Sequence, residues 1–323
     1  MKAIILEDYG LPHNLKIGEV AKPVPKDNEV MVRVHSASIN DFDWGLIRGK
    51  PFVIRLFFGL RKPSVSIPGI DVSGKIEEVG SKVNSFRIGD KIYCDLSECG
   101  SGGFAEYVCI PEKILSKKPP SVSFNDASAL PHAGVLALQG LLKKGKVKSG
   151  QSILINGAGG GVGTLGIQML KSYEVKVTGV DSDDKLDMMK SHGFDSVMDY
   201  KKVDFTATGE KYDLILDNKS NRSVFKYARS LKKNGTYISV GGSMVRLFEI
   251  ALIGSLISLF TSKKLSVLFL EPNKGLDQIF DMVEKGQIKP VVDGPYEFDK
   301  IPKLLQYFGE GKHLGKIVVE INK

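Results

Sequence analysis

Between Gly157 and Gly163 the chain carries Gly157, Gly159, Gly160, Gly161 and Gly163 around Ala158 and Val162, and an acidic residue, Asp181, follows. Residues without side chains at such a turn let a pyrophosphate approach backbone N–H groups at a helix N-terminus. A carboxylate further on accepts from ribose hydroxyls. In register the frame is Ala158-x-Gly160-x-x-Gly163, with alanine in the first slot. A glycine-rich turn with no ligand is the plain alternative, so the elements around it decide. Ile153 to Ile155 reads as a buried strand, and Leu165, Ile167, Met169 and Leu170 fit one face of a helix. Residues 175–180 read as a second strand that ends at Asp181. That is a βαβ unit of about 30 residues, the context in which glycines become a dinucleotide fingerprint. Gly159, Gly160, Gly161, Val162, Gly163 and Asp181 are therefore candidate cofactor-binding residues.

The other reactive types say less. Three cysteines, Cys94, Cys99 and Cys109, are too few and odd in number for a disulfide framework. They point to a reducing, cytoplasmic setting and to buried or partly buried thiols. No Ser-His-Asp set and no paired carboxylates stand out, which fits a reaction whose chemistry the cofactor carries. Hydrophobic residues make up 42% and charged residues 25% of the 323, the profile of a soluble globular protein. The net charge of +8 is spread in pairs such as Lys117-Lys118 and Lys201-Lys202, which reads as a solvated surface and not as a nucleic-acid site. No signal peptide is expected from the N-terminus. The apolar run Leu247 to Phe260 contains Glu249 and is shorter than the roughly 20 residues of a membrane span.

The elements that must position the fingerprint change character along the chain. Up to about residue 118, short alternating runs punctuated by Gly and Pro predict a barrel-like β domain without sustained helical period. Asn125 is the expected cap of a helix over 127–130, Pro131 an interruption, and 134–142 a second helix. Strands and helices then alternate to about residue 270, the rhythm of a doubly wound parallel sheet of about six strands. Beyond Pro272 the pattern is helix 276–285, short strands near 291–292 and 296–298, helix 301–308 and strand 316–321, a tail expected to pack back onto the N-terminal domain.

This order resembles the medium-chain dehydrogenase/reductase superfamily, and more closely its zinc-independent quinone oxidoreductase branch. The residues that carry the resemblance are S-A-S-I-N-D-F-D near position 40, I-P-G-I-D-V-S-G-K-I-E-E-V-G from Ile67, F-R-I-G-D-K-I-Y from Phe86 and G-G-F-A-E-Y-V from Gly102. A-L-P-H-A-G-V-L-A-L-Q-G-L from Ala129, N-G-A-G-G-G-V-G from Asn156, Asp199-Tyr200 and the final G-K-I-V-V complete them. The resemblance implies an α/β protein with a Rossmann doubly wound parallel sheet (122–271) inserted into a GroES-like β-barrel catalytic domain (1–121, completed by 272–323). It implies an active site in the cleft between domains, hydride transfer from NAD(P)H to a small hydrophobic quinone or α,β-unsaturated carbonyl, and a homodimer.

Zinc-dependent relatives hold their metal where this chain has Asn40, Gly69-Ile70-Asp71 and His132, a set that cannot form a tetrahedral N/S site. The three cysteines do not match a four-cysteine structural site either. Asn40 resembles the branch's asparagine near the nicotinamide and is the candidate catalytic residue. A turn asparagine holding local backbone is its alternative, and Asp43 is placed to hold the same loop. Ser182, Lys185 and Tyr200 resemble positions that hold the adenosine 2′-phosphate, and Gly241 joins the candidate cofactor-binding set. Asp181 favours NADH and those three favour NADPH; NADPH is the expected cofactor, with NADH possible. Two very apolar segments, 49–61 and 244–260, leave a subunit interface, a substrate pocket and a weak membrane-surface contact open. A non-catalytic nucleotide-binding protein on the same fold is the rival reading.

Overall fold

The computed structural model describes residues 1–322. Strands β1 (Lys2–Ile5) and β2 (Lys16–Glu19) pair antiparallel, and the ten-residue β3 (Glu29–Ser38) follows. Two helices interrupt the β pattern, α1 (Asp41–Arg48) and α2 (Val53–Phe58). At eight and six residues they are too short to show a sustained period, so the β-rich expectation passed over them. Then come β4 (Asp71–Val79), β5 (Lys91–Asp95), β6 (Tyr107–Pro111) and the two-residue β7 (Ser116–Lys117).

Helix α3 (Phe124–Ser128) is capped by Ser123 and not by Asn125. The Ser123 hydroxyl accepts from the N–H of Asp126 at 3.0 Å, satisfying one of the donors a helix start leaves open. Pro131 begins α4 (Pro131–Ala137), three residues before the expected Gly134. Its missing N–H costs nothing in a first turn. The same helix runs on with wider, π-type turns through Lys144.

Six parallel strands follow: β8 (Ser152–Asn156), β9 (Lys176–Asp181), β10 (Ser196–Asp199), β11 (Tyr212–Asp217), β12 (Leu231–Ser239) and β13 (Lys264–Val267). Their order is β10-β9-β8-β11-β12-β13, so the winding reverses between β8 and β11. Helices α5 (Gly161–Met169), α6 (Leu186–Ser191), α7 (Val224–Arg229), α8 (Met244–Glu249) and α9 (Ser255–Phe260) connect them. Central strands read as unbroken apolar runs because both faces are covered. Ile153, Leu154 and Ile155 of β8 are all fully buried, the odd pair in one core and Leu154 in the other.

The tail carries α10 (Leu276–Glu284), β14 (Val292–Glu297), α11 (Ile301–Gly309) and β15 (Lys316–Glu320). The two short strands expected near 291–298 are one, with a register irregularity between Asp293 and Tyr296. Strand β15 runs antiparallel to β3, pairing Val318 with Ser38 and Val319 with Ala37. It thus lies inside the sheet β14-β15-β3-β4-β5-β7, while β6 pairs with β3. Ile317 and Val319 join Val30, Val32, Ile76 and Ile92 in that sheet's core.

Contacts divide the chain into two units. One comprises Met1–His132, Pro272–Gly286 and the residues from Pro290 onward; the other comprises Ala133–Glu271 and Gln287–Lys289. The division at 271/272 falls where the change of pattern placed it. The first division falls at 132/133, where the sequence reading has 121/122, because α3 packs on β3 and β4.

Candidate functional site

In the first unit, pairing across the sheet puts Ser38 opposite Asp71 and Asp71 opposite Asp95, a row of polar residues on β3, β4 and β5. All three are fully buried. Such groups persist inside a protein only when hydrogen-bonded, and Asp71 shows how. Its Oδ2 accepts from the Ser38 hydroxyl, the Asn40 amide and the Lys316 ammonium, each at 3.1 Å. Its Oδ1 accepts from the backbone N–H of His132 at 3.1 Å. Burial pushes the Asp71 carboxyl above the ordinary range, with the Lys316 charge opposing.

Asn40 stands at the N-cap of α1, 4% exposed. Its Nδ2 donates to Ser38 O at 3.2 Å and to Asp71 Oδ2, and its Oδ1 accepts from Lys316 Nζ. Both amide hydrogens are therefore spent inside the unit. Asp43, one turn on, accepts from the N–H of Asn40 and of Gly69, each at 3.0 Å, and so ties the loop as expected. Burial raises the Asp43 carboxyl to about 7 against those bonds.

His132, at the second position of α4, donates from Nδ1 to Asp95 Oδ2 at 2.7 Å. Its Nε2 lies 3.7 Å from the carboxylate of Asp41, whose side chain is 69% exposed. Burial alone would lower the imidazole, but the neighbouring carboxylates of Asp41 and Asp95 outweigh it and raise His132 to about 10. Burial pushes Asp95 the other way, and the His132 and Ser97 bonds overcome it to hold that carboxyl below its ordinary value.

The sequence reading set Asn40, Ile70 in Gly69-Ile70-Asp71, and His132 at one vacated metal position; the structure brings together Asn40, His132 and Asp71, the neighbour of Ile70. It adds Asp95 and Lys316, which that reading missed. Lys316 lies in the quoted G-K-I-V-V, but nothing local ties it to Asn40, 276 residues away. Among the described residues no group of three or more His, Cys, Asp or Glu is arranged to hold a metal ion. Cys94 is buried and Cys109 half-buried, as expected. Cys99 is exposed, against expectation, because it lies in the turn after β5.

In the second unit the glycine loop joins β8 to α5, with Gly160 at the N-cap. The first bond back into the helix runs from Thr164 N to Gly160 O at 3.0 Å. The N–H groups of Gly161, Val162 and Gly163 precede it and face the open first turn. A Cβ on Gly163 would lie 2.2 Å from Ala158 O, so glycine alone permits this approach of helix to strand. A Cβ on Gly160 would meet nothing nearer than 3.7 Å, which leaves that turn open to a ligand.

Asp181 ends β9 and serves the loop. It accepts from Gly159 N at 2.8 Å and from Ser182 N at 2.9 Å. Lys185 Nζ stands 3.5 Å from the same carboxylate, with a side chain only 3% exposed. Burial lowers the Lys185 pKa against the pull of Asp181. Tyr200 is tied by its N–H to Asp181 O at 3.0 Å, and its ring is exposed. The carbonyl of Gly241 accepts from the Ser239 hydroxyl at 3.3 Å at the end of β12. All the expected cofactor-binding residues thus lie at the carboxyl ends of parallel strands, or in the segments that follow them. In such sheets ligands bind there, and the winding reverses beside β8.

Residues 26–120 match the family model described as the alcohol dehydrogenase GroES-like domain, and 192–319 match that of a zinc-binding dehydrogenase. The 2-methylene-furan-3-one reductase of Solanum lycopersicum is 34% identical over 330 residues, covering 99% of this chain and 79% of its own. The chloroplastic NADPH-dependent alkenal/one oxidoreductase of Arabidopsis thaliana is 30% identical, with the same coverage of 99% and 79%. The solved structure of the quinone oxidoreductase from Coxiella burnetii has a TM-score of 0.86 at 27% identity, covering 100% of this chain and 99% of that one. The chain belongs to the medium-chain dehydrogenase/reductase superfamily, with a Rossmann sheet and a GroES-like domain. Within it, the chain falls among the quinone oxidoreductase and alkenal/one reductase relatives.

Proposed function

We propose that this protein is an NAD(P)H-dependent oxidoreductase that reduces a small hydrophobic quinone or an α,β-unsaturated carbonyl. The observation that carries the reading is the glycine loop at the first turn of α5, bound to Asp181, in a chain whose relatives are named for those reductions. The residues fit a dinucleotide. The N–H groups of Gly161, Val162 and Gly163 would hold the pyrophosphate, with Gly160 leaving room for it, Gly159 packed against Lys185 and Asp181, and Gly241 beside the end of β12. Ser182, Lys185 and Tyr200 would hold the adenosine phosphate. When bound, the reduced nicotinamide supplies a hydride. NADPH is preferred in this reading because Lys185 neutralises Asp181, which would otherwise repel a 2′-phosphate.

Reduction proceeds without zinc in this reading. The ammonium of Lys316 already stands between Asn40 and Asp71 and supplies the positive charge that a metal would bring. Asn40 then acts as a positioning residue, its amide held on both sides. A homodimer is supported by Val245, Phe248, Leu252, Leu256 and Leu259, an exposed stripe at helical spacing along 244–260. The same stripe, with Phe52 and Phe57 of the 49–61 segment, would give weak contact with a membrane surface. No helix among the described residues is long and apolar enough to cross one. A reducing, cytoplasmic setting accords with the three free cysteines.

The test is oxidation of NADPH and NADH, side by side, against a panel of quinones and enones. Turnover that depends on acceptor and is faster with NADPH is expected. Absence of oxidation with either cofactor on every acceptor would overturn the enzyme reading in favour of a nucleotide-binding protein.

A further inference from the structure

Reducing an enone or quinone places negative charge on an oxygen, and something must meet it. In the first unit most of the donors around Asn40 are already engaged. The Asn40 amide gives its hydrogens to Ser38 O and Asp71. The Lys316 ammonium gives its three to Ile39 O, Asn40 Oδ1 and Asp71 Oδ2. The Ser38 hydroxyl bridges Asp71 and Ser128 O. The oxygens of Asp43 and Asp71 are taken up as acceptors from their neighbours. His132 differs. A carboxylate cannot donate, so Nδ1 carries the proton of its 2.7 Å bond to Asp95. Nε2 stands 3.7 Å from Oδ1 of the exposed Asp41 carboxylate, beyond direct hydrogen-bond length.

We infer that His132, oriented by Asp95, is the catalytic acid that protonates the substrate's oxygen. The inference rests on the reduction reading above. As the electrophilic carbon of the substrate is reduced, its π electrons move onto the carbonyl oxygen. The Nε2–H bond of His132 breaks as the new O–H bond forms, and the bonding pair stays on Nε2. An enone leaves as the enol, which becomes the ketone in water, and water returns a proton to the imidazole. Asp95 is a positioning residue: it fixes the tautomer and ring orientation and stabilises the imidazolium. It is held in turn, since Ser97 N donates to Asp95 Oδ1 at 2.7 Å and the Asn273 side chain bonds both its N–H and its C=O. The charged groups near His132 are Asp41 on α1, Asp95 on β5 and Asp71 on β4, the last paired with Lys316 on β15. Three carboxylates against one ammonium favour the protonated ring, in keeping with its pKa near 10.

The experiment pairs kinetics with nitrogen NMR. With NADPH and 2-cyclohexen-1-one, H132Q, which keeps a polar donor but cannot ionise, is expected to lose about 100-fold in kcat. The dissociation constant for NADPH, read by cofactor fluorescence, should change less than about threefold. In ¹⁵N-histidine-labelled wild type without cofactor, the signal missing from H132Q should show both ring nitrogens protonated at pH 8. D41N changes an exposed residue and secures the test should H132Q fail to fold. Its alkaline limb of kcat should move down by about one pH unit. An active wild type with H132Q within twofold, or a neutral His132 ring at pH 8, would overturn this inference alone. A wild type inactive on every enone and quinone would overturn the reduction reading and this inference with it.

Discussion

Among single residues, Lys316 holds the buried polar group of the first unit together. Its ammonium offsets Asp71, which has no exposure, and also carries Asn40. Removing one partner of a buried pair leaves an uncompensated charge at a cost of about 3–5 kcal/mol. Lys316→Met should therefore lower the unfolding free energy by that amount in urea titration, and Asp71→Asn added to it should recover part of the loss. His132 gives the stability a pH dependence. Its folded pKa, near 10, lies above the ordinary 6.5 of the unfolded chain. Its contribution is therefore complete below about pH 6.5 and is lost as pH rises through about 10. The stability difference between wild type and H132Q should shrink from pH 6 to pH 10.5 in urea unfolding.

For single elements, the β8–α5 turn separates two kinds of glycine. Gly163 is where the helix must approach the strand, and Gly160 is where the turn stays open. Gly163→Ala should displace α5 and cost about 1–3 kcal/mol through overpacking, visible in the melting temperature. Gly160→Ala has space and a permissive φ of −88°, so the melting temperature should hold. Its methyl would stand where the pyrophosphate is proposed to sit, and NADPH affinity should fall by about tenfold or more. The turn from β9 into α6 is where the proposed reading puts the choice of cofactor. Lys185→Ala should raise the KM for NADPH well above that for NADH; equal effects on both would remove Lys185 from 2′-phosphate recognition.

At the scale of the whole molecule, the exposed stripe on 244–260 gives the most direct test. Phe248, Leu252 and Leu256 are 55–67% exposed, an unusual density of large apolar side chains in water. Sedimentation should give a dimer for the wild type and a monomer for Leu252→Glu combined with Leu256→Glu. Pelleting with anionic vesicles that fades with salt would support the surface-contact reading, given a net charge of +8. An absence of pelleting at low salt would end that reading.

The local sequence determined a great deal by itself. The βαβ fingerprint, the β11 strand over 212–217 and the six-strand winding were legible because a buried parallel strand is a short apolar run between turn residues. The glycine loop and Asp181 could be read together for the same reason, since they lie within one unit of about 30 residues, whereas Tyr200 and Gly241 lie outside it. Helices α1 and α2, the Ser123 cap and the helix start at Pro131 were less legible, because short elements leave no period to count. Only the tertiary structure decided the polar group around Asn40. Ser38, Asp71 and Asp95 share a row through antiparallel pairing, and Lys316 arrives on the last strand of the chain. Register and strand order set such neighbours, and no local pattern records them. A buried carboxylate nonetheless obliges the fold to bring it a partner, and here that obligation joins residue 71 to residue 316.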